Sequence, residues 1–200
     1  MFEKKLMPDG ILTIHAWDSR LFTTTEDSGS LIAPIVLRDL PEVQSTLQEV
    51  IQQWHHYGPW LNGLRTASSW VCLQLERHPR LNHRHRQAIT WDRNCIQLPV
   101  FDGYNHCSIT WTEYQIVAGV LHLGSSPDQG HYQAVLFNSG AGLLCDDGCK
   151  PRRLTRDRSF YENIYLIWAA PMAALSPAFR RPLPWPPADT IGNLISAHLG

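Results

Sequence analysis

Apolar residues recur along this chain mostly in short runs, several alternating with polar ones and bounded by glycine, proline, serine or aspartate, which is the pattern of strands. Residues 11–17, 31–37, 70–75, 114–122, 132–137 and 164–168 are predicted strands, with shorter ones at 89–91, 95–98 and 143–145. Pro34 confines the second strand to a sheet edge or a bulge, because proline donates no ladder hydrogen bond. Thr23 to Ser30 is polar and reads as a loop, as does Gly124 to Gly130. Asn138 to Gly142 reads as the turn of a hairpin. One segment has a different period. Leu40, Val43, Leu47, Val50, Ile51 and Trp54 fall three and four residues apart, on one face of a helix. Asp39 with Glu42 has the spacing of a capping box, Pro41 suits the first turn, and Gly58-Pro59 ends the segment. Many short strands with one amphipathic helix predict an α+β fold, mainly antiparallel. From residue 171 the chain is rich in proline (Pro182, Pro184, Pro186, Pro187) and reads as a tail that packs poorly, with a last short helix near 191–198.

The composition changes this picture little. Two hundred residues, 44% hydrophobic and 18% charged, suffice for one domain with a core. A net charge of −1 asks for neither nucleic acid nor an anionic membrane as partner. The basic run His83-Arg84-His85-Arg86 reads as a solvated turn. No apolar run is long enough to span a bilayer, and no apolar stretch follows Met1-Phe2-Glu3-Lys4-Lys5 as in a secretory signal. Cys72, Cys95, Cys107, Cys145 and Cys149 form an odd set without a C-x-x-C pair, which argues against a disulfide framework and a paired-cysteine zinc site. A reducing compartment, cytoplasmic or nuclear, is the expectation. Cys145 and Cys149 flank Asp146, where small-residue packing is the simpler reading than a metal.

The candidate chemistry lies near the end of the strand series. His131 sits between Gly130 and Tyr132, where the predicted loop enters a strand. Asp146-Asp147 follows fifteen residues later, across the predicted hairpin, which can return a carboxylate to the imidazole. That pairs a base with a group to orient it. No nucleophile accompanies them. Asn94-Cys95 is the nearest candidate string, but it falls in a predicted strand rather than at a helix start. His122 reads as a packing histidine, and His55-His56 as the helix C-terminus.

Several segments match one family in order. These are Leu47-Gln48-Glu49-Val50-Ile51, then Trp70 to Arg77 with His78 after it, then Asp92 to Pro99. Next comes Tyr114 to Phe137, which follows the pattern Y-x-L-x-A-V-x-x-H-x-G…G-H-Y-x-A-Y. Leu144-Cys145-Asp146-Asp147 and Asn163 to Trp168 close the series. Together they resemble the second half of the catalytic domain of ubiquitin-specific proteases, the papain-like deubiquitinases. The resemblance is best over residues 41–170 and implies a partial domain over 1–170, followed by the tail at 171–200. It implies the palm and fingers of that fold, with ubiquitin or a ubiquitin-like protein as partner and no cofactor or metal. His131 would be the general base for a cysteine thiol, Asp146 would orient it, and Asp147 would support the site. Gly124, Gly130 and Tyr132 would contact the substrate, beside the channel for ubiquitin's C-terminal tail. The family's cysteine box, with its oxyanion-stabilising asparagine, is not among these residues. A deubiquitinase reading therefore needs an upstream segment or another chain to supply it, and implies that this chain alone is inactive. The alternative is a catalytically inactive ubiquitin-binding or scaffold domain. An unrelated β-rich fold with a buried histidine is a third possibility.

Overall fold

The computed structural model describes residues 34–172, apart from 59, 65–66, 68–69, 81–82, 102–107, 127 and 139–140, together with the strands at 13–18 and 23–28. β1 (Thr13–Asp18) and β2 (Thr23–Ser28) form an antiparallel pair. The expected polar loop at 23–30 is thus largely a strand: β1 satisfies its backbone, and threonine favours extended conformation whatever its polarity. β3 (Ile35–Leu37) lies at an edge, just after Pro34, and pairs in parallel with β6 (Val71–Leu75).

The helix starts later than its spacing predicts. Asp39 has a left-handed backbone (φ 49°), and Ser45–Thr46 (β4) pairs with Ile89–Thr90 (β7), so residues before 47 stay out of the helix. Thr46 is the N-cap of α1 (Leu47–His55). Its hydroxyl accepts from Glu49 N–H at 3.2 Å, and Glu49 Oε2 accepts from Thr46 N–H at 2.7 Å. This later capping box outcompetes Asp39/Glu42 because it alone directs the apolar face into the core. Leu47, Val50 and Ile51 are buried, whereas Val43, expected on that face, is 69% exposed.

The other strands are β5 (Trp60–Leu64), β8 (Cys95–Phe101), β9 (Ile109–Ser126), β10 (Gln129–Asn138), β11 (Ala141–Cys145), β12 (Arg152–Arg153) and β13 (Ile164–Pro171). All but β4 and β7 belong to one mixed sheet, which makes the fold α+β. β9 organises it. β13 lies along one edge of β9, while β8 and β10 follow one another along the other. One long strand therefore joins a β12-β11-β10-β9-β13-β6-β3 segment to a β9-β8-β5-β1-β2 segment. A second helix, α2 (Arg158–Asn163), is too short for a periodic signal; Asp157 caps it by accepting from Phe160 N–H at 2.9 Å.

The core lies on one face of this sheet. Leu73, Leu75, Ile116, Val135 and Ile167 point there, under α1, α2 and Trp91. Truncating such a fully buried leucine costs about 2–5 kcal/mol. The 77–86 segment is fastened to the sheet by two arginines. Arg77, 1% exposed, donates to the carbonyls of Ile164 (3.1 Å), Gln87 (2.6 Å) and Tyr161 (2.7 Å). Arg84 donates to the carbonyls of Gly124 and His122 and to Asn163 Oδ1. The expectation of a solvated turn at 83–86 fails on this point, and His85 is buried as well. Among the described residues no helix is long and apolar enough to cross a membrane. The expected tail helix near 191–198, Cys107, and the turn residues Ser139 and Gly140 lie outside the described residues.

Candidate active site

The segment Gly124 to Gly130, expected as a loop, is mostly ladder. β9 continues to Ser126 and β10 begins at Gln129, with a register shift at Gly130. His131 therefore stands within the sheet, opposite Leu123. The two glycines are where the hairpin is tightest. A Cβ on Gly130 would lie 2.6 Å from His122 Nε2 and 2.9 Å from Gly124 Cα. Only glycine admits that approach without moving the strands.

Strand register explains how the carboxylate reaches the imidazole. Ala134 pairs with Cys145, so Asp146, one residue further, stands across from Gln133 and diagonal to His131. Residues two apart on a strand share a face, so His131, Gln133 and Asp146 converge. Asp146 Oδ1 and His131 Nε2 are hydrogen-bonded. A carboxylate only accepts, so Nε2 carries the proton and Nδ1 is left as the basic nitrogen. Gln133 Nε2 donates to Asp146 Oδ2 at 2.8 Å, and Asp147 N–H donates to Asp146 Oδ1 at 3.0 Å. These bonds, His131's first, hold the Asp146 carboxyl below its ordinary pKa. The pair is open to solvent, with side-chain exposures of 46% for His131 and 28% for Asp146.

Asp146 to Cys149 is a turn closed by Cys149 N–H donating to the Asp146 carbonyl at 3.0 Å. Gly148 supplies the positive φ (64°) that a type II turn needs at its third position. Asp147 meets Asp146 through its backbone. Gln133 is the residue that sequence reasoning missed. The available signal was a glutamine two positions beyond His131, inside an otherwise apolar strand.

The other face of the hairpin has a different character. His122, opposite Tyr132, stacks on its ring at a centroid distance of 4.6 Å and 21°. His78 and Tyr165 close around it at 5.4 and 6.2 Å. Burial and the charge of Arg84 lower the His122 pKa, partly offset by the Gln129 backbone. Tyr132 thus points away from His131.

Among the described cysteines, Cys72, Cys95 and Cys145 are not placed as an activated nucleophile for His131. Cys95 pairs with Gln115, eight positions along β9 from Leu123, which at about 3.3 Å per residue puts it roughly 25 Å from His131. It donates to Glu113 Oε1 at 3.0 Å, and burial pushes its pKa up to about 11. Cys72 is pushed up to about 12 by burial, and Cys145 is raised for the same reason. These are inert thiols, the reverse of an activated thiolate. Cys149 is exposed. Among the described residues, no group of three or more His, Cys, Asp or Glu is placed to hold a metal ion.

No family model matches this chain, and no curated protein does. Solved structures do resemble it. A chain of the yeast SAGA deubiquitinating (DUB) module is 20% identical with a TM-score of 0.58; the match covers 80% of this chain and 38% of that one. A chain of the SAGA Ubp8/Sgf11/Sus1/Sgf73 DUB module bound to ubiquitin aldehyde is 17% identical with a TM-score of 0.57, covering 83% and 42%. An essential yeast splicing factor is 10% identical with a TM-score of 0.58, covering 86% and 43%. This chain spans about two fifths of the length of each. At such identities the likeness concerns fold alone: an α+β arrangement like that of a ubiquitin-specific-protease-type deubiquitinase.

Proposed function

We propose that this chain carries the histidine and aspartate of a cysteine-type deubiquitinase site and binds the C-terminal tail of ubiquitin or a ubiquitin-like protein. The observation that carries this reading is the hydrogen bond from His131 to Asp146, with Gln133 and the Asp147 amide holding the carboxylate. In this reading β9, β10, β13 and β6 form the palm, and β8, β5, β1 and β2 the fingers. Residues 1–170 form the partial domain and 171–200 a tail. The tail of ubiquitin runs beside Gly124 and Gly130, with Tyr132 on the flank. His131 takes the proton of a cysteine thiol, and the thiolate attacks the carbonyl carbon of ubiquitin's terminal glycine. The imidazolium then returns the proton to the leaving amine. Asp146 holds the ring and stabilises the imidazolium, and Asp147 supports Asp146. The thiol and the oxyanion donor come from an upstream segment or another chain. The site needs no cofactor. The protein works in the cytoplasm or nucleus.

A second reading is an inactive ubiquitin-binding or scaffold domain. It is favoured by the raised pKa of Cys72, Cys95 and Cys145 and by the distance of Cys95. The splicing factor of similar fold adds support, since a fold does not fix an activity. A ubiquitin bearing a C-terminal electrophile tests both. The proposal expects this chain to bind the probe without forming an adduct, and to lose binding when Gly130 is replaced by alanine. An adduct lost in Cys149→Ser would instead put the nucleophile within this chain. Absence of any ubiquitin binding would sink both readings.

A further inference from the structure

The segment after the Asp146–Cys149 turn holds a charge imbalance that the net charge of the whole chain hides. Lys150, Arg152, Arg153, Arg156 and Arg158 stand against one acid, Asp157. Residues 150–158 are thus at +4, and the rest of the chain is at −5 for a net charge of −1. A run of like charges is ordinarily a solvated, mobile stretch, but this one is fixed to the fold. Arg152 and Arg153 pair with Leu144 and Leu143. Leu154 N–H donates to the Gly142 carbonyl at 2.8 Å, and its side chain packs on Gly142, where a Cβ would meet it at 2.6 Å. Arg156 donates to Asn94 Oδ1 and lies over the Phe137 ring, 4.9 Å from its centroid. Asp157 caps α2.

Two of the five cations have partners: Arg156 as above, and Arg158 on Glu162 at 2.6 Å. Lys150, Arg152 and Arg153 are exposed, and no carboxylate among the described residues pairs with them. β12 also ends the strand order, so its outer edge is unpaired among the described strands. Leu154 N–H points into β11, so the alternation of an antiparallel ladder turns Arg153 N–H and C=O the other way, to the open edge. Successive side chains alternate, so Arg152 and Arg153 flank that edge from the two faces of the sheet. We propose that this edge docks an acidic peptide segment of a partner protein. The segment adds to β12 as an extended strand through the Arg153 backbone and sets carboxylates against Arg152, Arg153 and Lys150. Main-chain pairing supplies the register, and guanidinium–carboxylate forks supply the recognition of charge. The same arginines exclude a second copy of β12, which would bring like charges together. A nucleic acid fits less well. The unpaired cations span only about 10 Å of extended chain, and the negative remainder of the molecule repels a long polyanion. This inference is independent of the ubiquitin reading.

Fluorescence anisotropy tests this with the full chain and a labelled peptide of about ten residues, in which pairs of glutamates alternate with threonines. Binding at about 0.05 M salt should saturate, be absent for the glutamine analogue, and weaken at least about tenfold at about 0.3 M salt. Arg152→Gln/Arg153→Gln should weaken it at least about tenfold with the melting temperature unchanged, since both side chains are exposed. Arg158→Gln removes a charge already paired with Glu162 and should change binding less than about twofold. A peptide N-methylated at alternate residues keeps its charge but cannot pair as a strand, and should not bind. Single Arg153→Gln and Lys150→Gln variants, each expected to weaken binding about two- to fivefold, carry the test if the double variant lacks a cooperative melt. Failure of the glutamate peptide to bind overturns the proposal, as does an equal loss in Arg158→Gln or undiminished binding of the N-methylated peptide. Tighter binding of an oligothymidylate of equal charge also overturns it, by making the edge a nucleic-acid surface.

Discussion

His131 and His122 stand one strand apart in a single hairpin, yet the sheet sends them to opposite environments. His131 faces solvent beside an acid that two further donors hold in place. His122 is buried between aromatic rings, with Arg84 donating to its backbone carbonyl. The first environment suits a residue that moves protons. The second disfavours an imidazolium and suits a residue that keeps the hairpin in place. A histidine's role here follows from which side of the pleat it occupies.

This contrast breaks if changes on the His122 side cost no stability, or if changes on the His131 side do. The largest loss is expected for Arg84→Met, which removes a charged donor from three acceptors on β9 and α2. Urea denaturation should show a loss of about 2–3 kcal/mol. Gly130→Ala comes next. Its Cβ must push aside His122 Nε2 and the Gly124 and Leu123 backbones, at a cost of about 1–3 kcal/mol in the same assay.

A pH profile is subtler. His55, His78, His85 and His122 all have lowered pKa values in the folded chain, chiefly through burial. Each returns to about 6.5 on unfolding, so the unfolded chain binds more protons just below that pH. Stability should be full above about pH 6.5 and decline as the pH falls through the folded values. Among the described residues, the groups facing His122 are His78, Arg84, Tyr132 and Tyr165, with no carboxylate among them to reverse the sign. His122→Asn should flatten part of the slope, which equilibrium unfolding between pH 5 and 7 measures. The smallest effect belongs to His131→Ala. Its melting temperature should match the parent, while the Asp146 carboxyl pKa, followed by NMR, moves back up. A clear drop in melting temperature would make His131 a framework residue and dissolve the contrast.

Much of the sheet was legible because alternation is a local property. The strands at 71–75, 132–137 and 164–168 follow directly from it. Where the expectation failed, a longer-range contact had decided. Residues 23–28 became a strand because β1 lay beside them. The helix began at Leu47 because β4 is drawn into pairing with β7. Arg84 left its basic run to fasten the β9–β10 hairpin, a contact forty residues away in sequence.

The same division runs through the candidate site. The sequence alone determined that a histidine beside glycine would precede an aspartate pair across a hairpin, because turn residues and strand periodicity are written locally. Only the tertiary structure decided that Gln133 would join them, that Tyr132 would turn away to stack on His122, and that Cys95 would stand far along β9. The reason is register. Which residues face each other across a sheet depends on how strands distant in the chain align, and a shift of one residue would send every side chain to the other face.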